Sequence, residues 1–70
     1  MTPLIYYLEA LDARVYVTII ADKFLTDRTP LYRVLADKAF IDKYSTYDVK
    51  ETRIARADDG ILTVYIEVER

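Results

Sequence analysis

Chemistry near neutral pH needs a side chain that moves a proton, attacks carbon or grips a metal, and few such groups occur in this sequence. Its 70 residues include neither histidine nor cysteine. A serine activated by histidine is therefore excluded, and thiolate or imidazole ligation of zinc with it. Ser45 is the only serine, and Ser45-Thr46 reads as turn chemistry rather than as a nucleophile served by Lys38 or Lys43. Six of the aspartates fall in pairs: Asp22 and Asp27, Asp37 and Asp42, Asp58 and Asp59. A hard cation needs about six to eight oxygens converging on one point, and the calcium-loop spacing of such ligands is not met. With one glycine there is no glycine-rich phosphate loop either. No catalytic residue, no cofactor and no metal is expected.

What remains is chemistry of contact. Seven tyrosines are many for this length. If the strands align, Tyr16, Thr18, Ile20, Thr63 and Tyr65 point the same way and make an outer sheet face of aromatic and aliphatic groups. Such a patch marks an interaction surface, and tyrosine is enriched among the residues that dominate binding energy. The expected partner-binding residues are Tyr16, Ile20, Tyr32 and Tyr65, with Asp58 and Asp59 as an acidic contact at a turn. Lys50, Arg53 and Arg56 suggest an alternative, nucleic acid gripped by a face of tyrosine and arginine. Opposite-charge pairing across strands explains the same basic residues.

Those side chains must be positioned by elements. The last strand is the plainest: Leu62, Val64, Ile66 and Val68 alternate with Thr63, Tyr65 and Glu67, the period of a strand with one buried face. Thr2-Pro3 opens a helix whose stripe is Leu4, Leu8 and Leu11. Val15 to Ala21 is the first strand. Asp22 to Pro30 is a polar connection in which Phe24 and Leu25 fold back on the core, and Leu31 to Ala36 is the second strand. Asp37 caps a short helix in which Phe40, Ile41 and Tyr44 share a face. Tyr47 to Ala57 is the third strand. Asp58-Asp59-Gly60 turns the chain into the last strand. A three-residue loop with Gly60 left-handed sets Ile54 opposite Val64 on the core face, which requires a bulge between Val49 and Ile54.

The expected fold class is α+β, helix–hairpin–short helix–hairpin (αββαββ), as one domain over residues 1–70. One mainly antiparallel four-stranded sheet carries the helices on one face. The expected core is Leu4, Leu8, Leu11, Val15, Val17, Ile19, Leu35, Phe40, Ile54, Leu62, Val64 and Ile66. A chain this short buries only about 60% of its unfolded surface, so a small scaffold without disulfide or metal looks to a partner chain for support. If the outer sheet face is an interface, a symmetric homodimer through it is the first expectation. The net charge of −2 and the lack of a basic block disfavour nucleic acid. No apolar run reaches membrane-spanning length and no signal peptide is indicated. A cytoplasmic location follows.

The assembled pattern is similar to small open reading frames of phages and prophages of Gram-positive bacteria. The residues that carry the resemblance are Leu11-Asp12, the valine-rich strand after it, Leu31-Tyr32, Tyr44 with Tyr47 and Val49, and the closing Asp59-Gly60-Ile61-Leu62 run. The resemblance spans nearly the whole chain and brings no catalytic residues. It implies a protein that binds a host protein in the bacterial cytoplasm and inhibits or modulates it, CRISPR and restriction nucleases being the implied targets. A self-assembling phage structural or accessory protein is a further expectation.

Overall fold

The computed structural model describes residues 2–70. Its elements are helix α1 (Leu4–Ala10), strands β1 (Tyr16–Ile20) and β2 (Phe24–Pro30), helices α2 (Leu31–Ala36) and α3 (Lys38–Tyr44), and strands β3 (Asp48–Arg56) and β4 (Leu62–Glu69). The chain is α+β with one four-stranded sheet, ordered β2-β1-β4-β3. The outer pairs are antiparallel, but the central pair, β1 with β4, is parallel. The sheet is thus mixed rather than mainly antiparallel. The two hairpins lie side by side in one sheet, and the helical segment α2–α3 joins them, as parallel neighbours require a crossover.

The second strand lies earlier than expected, within the segment whose polar residues suggest a connection. β2 pairs with β1 irregularly, with register shifts on both sides of Ile19. Side chains replace some ladder bonds: Thr26 Oγ1 accepts from the Ile19 N–H at 3.1 Å, and Thr18 Oγ1 from the Arg28 N–H at 2.9 Å. Leu25 packs against the core, whereas Phe24 is exposed rather than folded back on it. The segment Leu31–Ala36 is helix, not strand. Pro30 cannot continue a ladder and stands just before the first helical turn, and Leu31 and Val34, three apart, are the residues it buries. The order is therefore αββααββ, with one helix more than expected.

Thr2 does not cap α1, which starts at Leu4 after Pro3 with no side-chain cap, but other local signals hold. Asp37 caps α3, its carboxylate accepting from the Phe40 N–H at 3.1 Å. Phe40 and Tyr44 meet at 4.9 Å between ring centroids, and Tyr44 and Tyr47 make a T-shaped pair at 5.1 Å. Ile54 stands opposite Val64, a register shift separates Val49 from Glu51, and Gly60 is left-handed at φ +83°. Thr2 adds a contact of its own, its carbonyl accepting from the Val49 N–H at 2.8 Å, so the N-terminal segment is tied to the start of β3.

The core joins helix residues Leu4, Leu8, Leu31 and Val34 to Val15, Val17, Ile19, Val64, Ile66 and Val68 on one sheet face. Leu11, Phe40 and Leu62 pack at its margin. Two expected core residues lie outside it. Leu35 is 37% exposed, in the last turn of α2 and about 100° round the helix from Val34, and Ile54 is 61% exposed because β3 is an edge strand that the helices leave uncovered there. No helix is long and apolar enough to cross a membrane.

Candidate functional site

The helices occupy one sheet face, and the candidate surface is the other. Parallel pairing of β1 with β4 sets Tyr16 beside Thr63, Thr18 beside Tyr65 and Ile20 beside Glu67. Residues paired across strands project to the same side, so the five residues expected on one face do share it. β3 adds Arg53 next to Tyr65, Ala55 next to Thr63 and Glu51 next to Glu67. At the far edge, Phe24 pairs with Ile20 and is 65% exposed.

Two arginines organise this surface. The Arg28 guanidinium lies 5.2 Å from the centroid of the Tyr16 ring, and that of Arg53 lies 5.9 Å from the Tyr65 ring. Each tyrosine thus has a cation on its π-face. Arg28 spans from edge strand β2 to the far hairpin. Its Nε donates to Thr63 Oγ1 at 3.4 Å, and its Nη2 donates to both carboxylate oxygens of Asp59, at 3.0 and 2.8 Å. Arg28 also holds a left-handed backbone, φ +44°, as the only such residue besides glycine among those described. That conformation is costly for a side chain as large as arginine, and it sits where β2 pairs irregularly with β1.

Thr18 and Thr63 are almost fully buried on this face, and both hydroxyls take bonds from Arg28. Among the described residues no buried side-chain nitrogen or oxygen is left without a partner. Hydrogen bonding from Arg28, and next from the Ile61 N–H, lowers the Asp59 carboxyl from its ordinary value. The same bond raises the pKa of Arg28. The pair stays ionised across the physiological range. A shallow cleft of about 140 Å³ lies beside Tyr65, lined among others by Ile20, Glu51, Arg53 and Glu67. It can accept a protruding side chain, apolar at the Ile20 end and polar at the Glu51–Glu67 end.

The expected site residues divide. Tyr16, Ile20 and Tyr65 are together on the outer face. Asp59 reaches it through Arg28, while Asp58 is exposed at the turn. Tyr32 does not belong with them. It is on α2, in the helical layer on the other side of the sheet, and 62% exposed. Its expected place depended on Leu31–Ala36 being a strand. Arg28 was missed, because nothing around it in the sequence marks a strand. Among the described residues no three acidic side chains are grouped to hold a metal ion. No protein-family model, no curated protein and no solved structure matches this chain.

Proposed function

We propose that this chain is a non-enzymatic protein-interaction module that docks a foreign protein on its outer sheet face. The observation that carries this reading is the pair of tyrosines, Tyr16 and Tyr65, each held under an arginine on the face opposite the helices. Rings fixed in this way lose little side-chain entropy on binding, which favours them as anchors. Ile20 and Phe24 extend the apolar area, and the cleft beside Tyr65 offers a socket for one side chain of the partner.

Protein is favoured over nucleic acid as the ligand by the charges on this face. Asp59 already neutralises Arg28, and Glu51 and Glu67 stand opposite each other beside Arg53. A phosphate backbone would meet carboxylates along the route a basic stripe should provide. The resemblance to small phage proteins supplies the class of partner: a host nuclease of the CRISPR or restriction type, met in the bacterial cytoplasm and inhibited by steric block.

Affinity capture from a lysate of a Gram-positive host, with mass spectrometry, tests this. One dominant host protein should be retained by the wild type and lost with Tyr65→Ala, whose circular dichroism should be unchanged. Equal capture by a folded Tyr65→Ala variant ends the outer-face reading. A gel shift on single-stranded DNA that weakens steeply with salt transfers the face to nucleic acid.

A further inference from the structure

The two edges of the sheet are unlike. β2 is broken by register shifts and by the left-handed Arg28, features that twist an edge out of use as a pairing template. β3 is regular after its bulge and exposed from Lys50 to Arg56. The Ala57 N–H donates to the Ile61 carbonyl at 3.1 Å. In an antiparallel ladder such bonded pairs recur at every second residue, so Arg53 and Ala55 also face β4. The N–H and C=O groups of Thr52, Ile54 and Arg56 then point outward to the free edge. Ile54, the one large apolar side chain on this run, is largely in solvent although its cross-strand neighbour Val64 is buried.

We propose that two copies of this chain pair antiparallel through β3, with Ile54 on the two-fold axis. The run free of irregularity is residues 51–57, and its centre is Ile54. Self-pairing there uses all seven residues and joins the outward groups of Thr52, Ile54 and Arg56 in reciprocal bonds. Ile54 packs on Ile54 of the partner subunit and leaves water. Arg53 faces Ala55 of the partner subunit, and Thr52 faces Arg56 of the partner subunit, so no like charges stand directly opposed. The acidic turn at Asp58 comes to the Lys50 end of the other copy, a complementary contact at each end. Centring on Arg53 instead would oppose Arg53 to itself, which is destabilising. Centring on Thr52 would pair Glu51 with Arg53 but run into the bulge and leave the two Ile54 side chains apart. Odd shifts would set outward-facing groups against inward-facing ones. The product is a continuous eight-stranded sheet with both outer faces on one side. A strand-to-strand contact is at the small end of specific interfaces, so the dimer forms in a concentration-dependent way.

Sedimentation equilibrium of the intact chain from micromolar to millimolar concentration tests this. The mass should rise from the 8.2 kDa monomer toward twice that value. Ile54→Asp should weaken dimerisation on the order of tenfold or more with an unchanged circular dichroism spectrum, since the side chain is exposed in the monomer. The register is tested separately, because the chain has no cysteine of its own. Ile54→Cys places two thiols where Cα atoms are about 5.5 Å apart, within disulfide range, and should cross-link under mild oxidation much faster than Thr52→Cys. A chain that stays monomeric throughout, or a dimer that survives Ile54→Asp, overturns the proposal. Preferential cross-linking of Thr52→Cys overturns its register.

Discussion

Leu31 and Leu35 offer a matched test of the layer that closes the core. Both are leucines, four residues apart in α2, and the same substitution can be made at each. Residues four apart lie near one face in a strand and in a helix alike, so the contrast between the two leucines reads depth of burial. In the helix their surroundings differ. Leu31 is 1% exposed and Leu35 is 37% exposed. The Leu31 N–H also donates to the Val15 carbonyl at 3.1 Å, so the residue is held close against β1. Leu31→Ala removes fully buried methyl and methylene groups and leaves a sealed cavity, which costs about 3 kcal/mol. Leu35→Ala removes groups already partly in water and seals no cavity, so its cost is about 1 kcal/mol. A domain of this size has on the order of 3.5–10 kcal/mol in all. Leu31→Ala therefore removes a third or more of the stability, and the two midpoints of thermal unfolding should differ by roughly 10 °C. Urea unfolding followed by circular dichroism, with wild-type slopes, measures both losses. Equal losses, or a larger one at Leu35, would refute the placing of Leu31 in the core with Leu35 at its edge.

Gly60→Ala should cost about 1 kcal/mol, through backbone strain alone, because φ is +83° and an added Cβ would meet nothing within 4 Å; denaturant unfolding reads this. The Asp12 carboxyl is held down to about 2, from its ordinary 3.8, first by side-chain hydrogen bonds from Arg14 and then by the Arg14 backbone N–H. A depressed carboxyl contributes stability above its unfolded value and loses it as pH falls through the folded one, so the contribution fades between about pH 4 and pH 2. In Arg14→Ala the Asp12 carboxyl resonance should titrate closer to 3.8, and an unmoved titration would contradict this assignment of the cause.

The parts of the fold legible in the sequence were those decided locally. The alternation of Leu62, Val64, Ile66 and Val68 needs only one buried face, Asp37 needs only the N–H of Phe40, and Gly60 needs only a left-handed turn. The bulge followed from parity, since Val49 and Ile54 cannot both face inward on a regular strand. Leu31-Tyr32-Arg33-Val34-Leu35 is ambiguous because Leu and Val satisfy either period. What decides it is the position of Pro30 and the core that Leu31 and Val34 meet. The parallel centre of the sheet is a long-range choice that no short segment records. The outer face was legible in Tyr16, Ile20 and Tyr65 because strand period alone aligns them. Arg28 was not, because its role rests on an irregular edge strand that carries its side chain across the sheet to Asp59.

The seven tyrosines make the central claim directly measurable. Tyr16 and Tyr65 lie on the outer face, whereas Tyr6 and Tyr32 are exposed on the helices. The first measurement is the aromatic NMR spectrum of tyrosine-labelled protein, free and saturated with any host protein retained in the affinity capture. The docking account predicts that the Tyr16 and Tyr65 ring signals shift and broaden while those of Tyr6 and Tyr32 stay in place. Movement of Tyr6 or Tyr32 with Tyr16 and Tyr65 unchanged would contradict it and move the binding surface to the helical side.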